Sequence, residues 1–235
     1  MAAHEPIEAQ SPAHEVALSR SDGKKHLLLA ASGSVATIKI APIIKALGSQ
    51  PNLSIRLVLT NSAASFLDGQ AAEQPSLAEI ARYPNVDGVY KDAAEWSPSW
   101  TRGAPILHIE LRRWADLMVI APLSANTMAK LVNGMCDNLL LSVARAWDAT
   151  GLIDGRRKKI LVAPAMNSAM FHHPVTKRQI KVMDEDWGGA DGWMEVLHPI
   201  SRGMACGDSG DGAMVLFDDI VRKIEKEMGL NKSKE

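Results

Sequence analysis

One stretch of the chain carries side chains suited to an anionic substrate. His108 lies in the segment ILHIELRRW, residues 106–114, and a helix there would place Arg112 and Arg113 within about one turn of it. An arginine can hold a carboxylate in a fork while an imidazole moves a proton. The alternative is a capping histidine beside a solvated arginine pair, and these residues alone leave both interpretations open.

A second candidate for chemistry is Cys206, in the glycine-rich segment SRGMACGDSGDGAM, residues 201–214. A segment of this composition is predicted to be mobile and to close over a ligand. Buried structural cysteines usually lie in apolar elements, so a cysteine flanked by Gly207 and Asp208 indicates reactivity. Cys136 lies inside a helical pattern and is interpreted as a packing residue.

The elements that would position these groups are predicted strands that end in polar loops. In a parallel α/β sheet, ligands bind outside the carboxyl ends of the strands. Hydroxyls, an amide and free N–H groups at helix starts suit a phosphate or a polar heteroaromatic ring, and plain helix capping is the alternative. The predicted strands cover residues 26–31, 55–60 and 117–121, and the loops after them contain Ser32, Gly33 and Ser34, then Asn61 and Ser62, then Ser124, Asn126 and Thr127.

The turn after the first strand, SGSVA, lacks the GxGxxG spacing of dinucleotide-binding sites. This spacing argues against NAD, and a short Gly/Ser turn before a helix is compatible with a mononucleotide. A tight turn that binds nothing is the alternative. Pro42 is predicted to kink the following helix or to leave an N–H unmatched.

Proline is also expected to end two strands. Pro122 follows the strand at residues 117–121, and Pro164 follows a further strand at residues 160–163. After Pro164, Asn167 could bond a carboxylate or an amide, or it could cap the next helix. Residues 70–103 are predicted to be irregular apart from a short strand at 89–90, and residues 151–159 to be a basic surface loop.

Composition limits the function classes. The 235 residues, 46% of them hydrophobic, suffice for an α/β core, and a net charge of −1 favours neither nucleic acid nor an anionic membrane surface. Two cysteines make no disulfide framework and predict a reducing compartment, the cytoplasm. Neither a membrane span nor a signal peptide is expected. Residues 1–24 are predicted to be a disordered arm, 25–229 a single domain and 230–235 a frayed end.

Four motifs, in this order, resemble one known family. HIELRRW, APLSANT, APAMN and ACGDSGDGAM are similar to motifs of the flavin-containing cysteine decarboxylases, in particular the phosphopantothenoylcysteine decarboxylases. The resemblance implies a flavodoxin-like (Rossmann-like) three-layer sandwich around a parallel sheet, assembled as a homotrimer with FMN between subunits. It implies FMN-dependent decarboxylation of phosphopantothenoylcysteine to phosphopantetheine, a step of coenzyme A biosynthesis, and no metal.

The resemblance also implies roles for individual residues. His108 matches the family's essential histidine, Asn167 its substrate-binding asparagine and Arg113 its partner for the substrate carboxylate. Cys206 matches the acid of a final reductive step. Met166 and Ala205 would complete the substrate site, and FMN would contact Gly33, Ser34, Val35, Thr60, Ser62, Phe66, Ser124, Ala125, Asn126, Thr127 and Ala165.

Some features depart from the family pattern. Asp211 stands where an asparagine is expected, and residues 151–159 and 184–192 are longer than in a minimal member. The same fold also serves phosphatase-binding regulatory subunits, oxidative decarboxylases and flavin prenyltransferases, and hetero-oligomers with paralogues are possible. The presence of His108, Asn167 and Cys206 favours the decarboxylase.

Overall fold

The structure is a computed structural model that describes residues 11–67, 74–203 and 209–230. The strands are β1 Lys25–Ala31, β2 Leu53–Leu59, β3 Val86–Lys91, β4 Leu117–Leu123, β5 Ile160–Pro164, β6 Met194–Val196, β7 Ile200–Gly203 and β8 Ser209–Ala213. The first six form one parallel sheet in the order β3-β2-β1-β4-β5-β6, and β7 pairs with β8 as an antiparallel hairpin.

The helices are α1 Pro12–Leu18, α2 Ile40–Leu47, α3 Asn61–Ser65, α4 Leu77–Ile80, α5 Leu107–Trp114, α6 Ala125–Val132, α7 Leu139–Arg145, α8 Ser168–His172, α9 Pro174–Lys181 and α10 Phe217–Met228. Short 3₁₀ turns cover Ser19–Ser21, Val35–Lys39 and Asp92–Trp96, and a π-helical turn covers Val182–Asp186. In the described parts of the chain, no helix is both long and apolar enough to cross a membrane.

Apolar layers cover both faces of the sheet. Leu28 and Ala30 of β1 join a cluster with residues of α5 and α7, whereas Leu27 and Leu29 join a cluster with residues of α2 and α10. Strands buried on both faces carry continuous apolar runs, as the central strands do here. The predicted α/β three-layer sandwich with a parallel sheet is therefore confirmed.

The order of the strands locates the crevice. The chain moves outward from β1 to β2 and β3, then returns so that β4 lies on the other side of β1. This reversal is the topological switch point at which open α/β sheets bind ligands. The carboxyl ends of β1 and β4 therefore flank the expected binding position.

The prolines act differently from the prediction. Pro122 does not end β4, which continues to Leu123 with a register shift against β5 after Ile120. The shift accommodates a residue that has no N–H to donate to the ladder. Pro42 is the third residue of α2, where an N–H lacks an intrahelical acceptor in any case, and the segment changes from a 3₁₀ turn to an α-helix two residues before it.

The N-terminal segment differs most from its prediction. Within the expected disordered arm, α1 has Ser11 as its N-cap and Pro12 at its first position. Ala13 and Val16 are buried in the same cluster as Leu111 and Trp114 of α5. The prediction was therefore wrong for residues 12–21. Two apolar residues three positions apart are too short a pattern to predict a helix, and the helix α5 that buries them is distant in sequence.

The ends of the predicted arm and tail lie outside the described residues, at 1–10 and 231–235. Residue 230 was expected to be frayed, yet the Leu230 N–H donates to the Glu225 carbonyl at 2.9 Å. Gly229, with φ of 58°, makes this return possible as the left-handed residue after α10.

The packing of α1 gives a stability prediction. Val16→Ala should lower the free energy of unfolding by about 1–3 kcal/mol, because it removes two fully buried methyl groups. Leu18→Ala on the same helix is the matched control, since Leu18 is 65% exposed, and it should change stability by less than about 0.5 kcal/mol. Urea unfolding followed by circular dichroism measures both, and equal effects would contradict the packing of α1.

Candidate functional site

Four strand ends are joined into one edge by backbone hydrogen bonds. The Thr60 N–H after β2 donates to the Ala31 carbonyl of β1 at 3.2 Å. The Ser32 N–H after β1 donates to the Pro122 carbonyl of β4 at 3.0 Å, and the N–H of Ala165 after β5 donates to the β4 residue Leu123 at 3.0 Å. The polar loops predicted from separate stretches of sequence therefore form one continuous row.

Ser32 makes the central connection of this row and was not predicted as a site residue. Its buried hydroxyl donates to the Pro122 carbonyl at 3.1 Å and accepts the Ser124 N–H at 2.7 Å. Its carbonyl accepts the Thr37 hydroxyl at 3.3 Å. The sequence placed Ser32 in the polar loop after the first strand, but nothing in it indicated a contact with β4.

The loops after β1 and β2 touch at Gly33. A Cβ atom built on Gly33 would lie 2.5 Å from the Ser62 Oγ and 2.7 Å from the Ser62 Cβ. Real Cβ atoms essentially never approach that closely, so the contact requires glycine at this position. The glycine of SGSVA thus allows two loops to pack together rather than completing a dinucleotide fingerprint.

The hydroxyls of the row cap helices, which was the alternative interpretation, but capping leaves donors available. Ser34 accepts the Ala36 N–H at 3.3 Å, and Thr60 accepts the Ala63 N–H at 3.2 Å. A hydroxyl that accepts at its oxygen still has its own proton to donate. Capping and binding of an anion are therefore compatible at these positions.

The loop that begins α6 has the same character. Ser124 accepts the Thr127 N–H at 3.3 Å and lies 3.2 Å from the Thr127 hydroxyl. Asn126, in the first turn of α6, is exposed, and within the described residues its side chain makes no hydrogen bond. The loop therefore offers hydrogen-bond donors both at the surface, from the Asn126 amide, and below it, from the buried hydroxyls of Ser124 and Thr127.

The other predicted FMN contacts lie in these same loops. Val35 is exposed at the start of the 3₁₀ turn, Phe66 is half-buried just after α3, and Ala125 is half-buried at the start of α6. Ala165 is buried directly after β5. These four residues lie at the carboxyl edge of the sheet, because the loops follow neighbouring parallel strands.

The loop after β5 connects to the β7–β8 hairpin. The Met166 N–H donates to the Gly212 carbonyl at 3.0 Å, and a Cβ on Gly212 would lie 2.7 Å from the Met166 carbonyl oxygen. Asn167 caps α8 by accepting the Met170 N–H at 2.9 Å. Its side-chain nitrogen makes no hydrogen bond to a described residue and can donate to an amide or carboxylate oxygen.

The two strands of the hairpin lie on either side of the segment that contains Ala205 and Cys206. Those two predicted site residues lie outside the described residues. Asp211 accepts from the Ser201 hydroxyl and pairs with His172 at 3.0 Å. The Ser201 hydrogen bond lowers the pKa of the Asp211 carboxyl, desolvation opposes it, and the His172 charge lowers it further. An asparagine at this position would lack the ion pair.

His108 lies at the same edge of the sheet by topology. Because α5 leads into the amino end of β4, its first turn must lie toward the carboxyl ends of the strands. The His108 Nδ1 is 2.7 Å from the Oε1 of Glu95, in the 3₁₀ turn after β3. Within the described residues, no hydrogen bond or ion pair connects His108 to the strand-end loops.

The predicted grouping of His108 with an arginine is not observed as a direct contact. Arg113 pairs with Glu110 at 2.8 Å, and Arg112 pairs with Asp154. Each arginine on α5 therefore has a carboxylate partner of its own. The carboxylate next to His108, from Glu95, lies in a segment whose sequence gave no pattern.

Residues 151–159 form the predicted basic surface loop, with Leu152 and Ile153 exposed, but one of its lysines is buried. Lys158 is buried, lies 3.0 Å from the Asp154 Oδ2 and donates to the Arg112 carbonyl at 2.6 Å. Burial lowers the pKa of Lys158, while Asp154 opposes that shift. The Asp148 carboxylate accepts the N–H groups of Asp154 and Ile153, and these bonds, against the opposing effect of desolvation, lower its pKa to about 2. The loop is thus an anchor for the end of α5.

The chain matches one protein family over most of its length. A family model described as Flavoprotein matches residues 15–229.

The chain belongs to the Flavoprotein family.

Two proteins with similar sequences carry different names. A probable phosphopantothenoylcysteine decarboxylase of Arabidopsis thaliana is 44% identical over 192 residues, which cover 81% of this chain and 82% of that protein. A probable thymidylate synthase of Schizosaccharomyces pombe is 40% identical over 210 residues, but the chain spans only 30% of its length. Most of that longer protein lies outside the segment that resembles this chain, so its name cannot be transferred to the chain.

Solved structures of Flavoprotein relatives share the fold. A PPC decarboxylase mutant complexed with pantothenoylaminoethenethiol aligns with a TM-score of 0.71 at 40% identity, over 86% of this chain and 97% of the other. The FMN binding protein AtHal3 aligns with a TM-score of 0.68 at 41% identity, over 86% and 96%. These alignments support the predicted flavodoxin-like (Rossmann-like) class, and the strand order β3-β2-β1-β4-β5-β6 is the one typical of Rossmann folds.

The contact at Gly33 gives a prediction for this edge. Gly33→Ala should lower the free energy of unfolding by about 1–3 kcal/mol, because the new Cβ overlaps Ser62. Adding Ser62→Gly should recover part of that loss, whereas adding Ser62→Ala should recover little, because the Ser62 Cβ is itself 2.7 Å from the new atom. Urea unfolding of the single and double variants measures this, and equal recovery by both second substitutions would contradict the contact.

Proposed function

We propose that this Flavoprotein family member is an FMN-dependent phosphopantothenoylcysteine decarboxylase that acts in coenzyme A biosynthesis. The observation that carries the proposal is the row of joined polar loops after β2, β1, β4 and β5, with the first turn of α5 at the same edge. The Arabidopsis relative that bears this name is similar to most of the chain. We also expect a cytoplasmic location, because two cysteines suit a reducing compartment.

The residues present fit FMN. The close approach of Gly33 to Ser62 and the hydroxyls of Ser34, Thr60 and Thr127 make a small polar cradle that suits a phosphate. The exposed Asn126 amide can donate to a heteroaromatic ring at the rim of the cradle. FMN, when bound, supplies a reversible two-electron oxidation, which a side chain cannot provide.

The chemistry explains why the other residue types are needed. A simple carboxylate resists decarboxylation because nothing stabilises the carbanion that would form. Oxidation of the substrate carbon that bears sulfur gives a thioaldehyde, and the electrons freed by decarboxylation then flow to sulfur as an enethiolate. His108 would accept a proton in the oxidation, and Arg113 and Asn167 would hold the substrate carboxylate.

Cys206 would act in the second half of the reaction. Reduction of the enethiolate needs a proton delivered to the product carbon. A thiol with a pKa of about 8.5 is mostly protonated near neutral pH and can supply it. The β7–β8 hairpin, which is attached to the Asn167 loop through Met166 and Gly212, would bring this segment over the substrate.

Separate variants test the two halves of this function. In the presence of FMN and phosphopantothenoylcysteine, Cys206→Ser should still bind flavin and release carbon dioxide, and then stop at the enethiol, because a serine hydroxyl is a far weaker acid. His108→Asn should bind flavin but release carbon dioxide at least about 100-fold more slowly, as expected for loss of a general base. Product mass spectrometry and the flavin absorption spectrum record both steps.

The outcomes that overturn the proposal are distinct. Absence of flavin absorbance in the wild-type protein supplied with FMN would refute the cofactor assignment. Full phosphopantetheine production by Cys206→Ser would refute the acid role of the cysteine. Rapid carbon dioxide release by His108→Asn would refute the role of the histidine in the oxidation.

We further propose that the protein is a homotrimer and that its site is completed across the subunit interface. The support is that, within the described residues, neither His108 nor Arg113 makes a hydrogen bond or ion pair to the strand-end loops of its own chain, although the proposed reaction needs them beside the flavin. A closed cyclic arrangement lets one kind of interface repeat identically. Hetero-oligomers with paralogues would use the same interface.

Light scattering tests the assembly. At micromolar concentration with FMN, the mass should be three times the chain mass of 25.4 kDa. Mixing inactive His108→Asn subunits with inactive Cys206→Ser subunits should restore phosphopantetheine formation in part, because some shared sites then hold both wild-type residues. A monomeric mass would refute the shared site.

A further inference from the structure

Glu95 is a buried carboxylate held against the imidazole of His108. The Glu95 Oε1 lies 2.7 Å from the His108 Nδ1, a distance typical of a charge-assisted hydrogen bond. The Glu95 side chain is 4% exposed, and its Oε2 has no hydrogen-bond partner among the described residues. The His108 side chain is 24% exposed, so the imidazole lies between a buried carboxylate and solvent.

The turn that carries Glu95 is fixed independently of the histidine. Asp92, the first residue of that turn, accepts the Leu139 N–H at 3.2 Å and so attaches the turn to the start of α7. The turn directly follows β3, whose last residue is Lys91. A carboxylate on a segment fixed at both the sheet and α7 can determine the orientation of an imidazole beside it.

Other histidine–carboxylate pairs in the described chain lack this burial. In the pairs His26–Asp22, His172–Asp211 and His198–Asp184 the carboxylate side chains are 29%, 40% and 32% exposed. Water competes for those carboxylates. The Glu95 carboxylate has been desolvated at a cost that a surface pair does not carry, and its shortest contact is to the ring at the proposed reaction site.

We propose that Glu95 is the positioning residue for His108. It accepts the Nδ1–H, which fixes the tautomer whose Nε2 carries a lone pair, and it stabilises the imidazolium that forms when Nε2 accepts a proton. This inference rests on the proposed function of His108 in the oxidation. It adds a residue, from a segment without any sequence pattern, on which the rate of that step depends.

One test observes the imidazole without any turnover. In the full chain labelled with ¹⁵N-histidine and supplied with FMN, the nitrogen shifts of His108 should show a protonated Nδ1 in the wild type. The signals are assigned by their loss in His108→Asn. Glu95→Ala should move the ring toward the mixed tautomers of a free histidine, and an unchanged pattern in Glu95→Ala would overturn the proposal.

A second test measures the step itself. Glu95→Gln keeps the shape of the side chain but removes the charge, and it should slow carbon dioxide release at least about 10-fold, because an amide beside Nδ1 no longer favours one tautomer or stabilises the imidazolium. The substrate KM and the flavin affinity should stay within about 2-fold, because a positioning residue touches neither. A fall in flavin affinity that accounts for the lost rate, or a rate within 2-fold of wild type, would contradict the proposal.

Asp22→Asn is the matched control. It removes the carboxylate from the His26 contact of 2.9 Å, which lies at the amino end of β1, away from the proposed site. Its rate of carbon dioxide release should equal that of the wild type, and a loss as large as in Glu95→Gln would mean that a general loss of structure explains both. If the wild-type protein itself fails to bind flavin, the proposed function fails, whereas the nitrogen shifts still decide the Glu95–His108 contact.

Discussion

The contact between the carboxyl ends of β1 and β4 is the constraint on which the candidate site depends. Strand order reverses there, so the two helices that follow these strands diverge to opposite faces and leave a crevice. The buried hydroxyl of Ser32 closes the bottom of that crevice by bonding both Pro122 and Ser124. The neighbouring loops attach to this pair by one backbone hydrogen bond each, so the four strand ends form one connected row.

Buried polar and charged side chains contact both ends of helix α5. They come from two irregular segments whose sequence predicted no role in the site. At its first turn the partner is Glu95 from residues 92–96, and at its last turn the partners are Asp154 and Lys158 from residues 151–159. Burying such groups costs desolvation energy, which their ion pairs and hydrogen bonds offset, and these contacts are directional. The position of the histidine is therefore determined by two irregular segments as well as by the apolar packing of the helix.

Much of the fold was predictable because its periodicity is local. Apolar runs gave the central strands to within one or two residues, and the polar residues after them identified the loops at the carboxyl edge. Two predictions failed because a partner distant in sequence decides the structure: α1 forms because α5 covers Val16, and β4 continues past Pro122 through a register shift against β5. The burial of Lys158 within the predicted surface loop was not foreseen, because its contacts are to Asp154 and Arg112.

The sequence by itself determined the class of fold, the places where the sheet offers polar ends, and the residue types available for decarboxylation, since these depend on period, composition and short motifs. Only the tertiary structure decided which partner each charged group takes. Neither Glu95 beside His108 nor Ser32 between two strands could be inferred, because each contact joins segments whose spacing along the chain carries no information on distance. Buried polar groups must pair because water is excluded around them. Which groups are buried together depends on how the helices pack on the sheet, and this is a property of the tertiary structure.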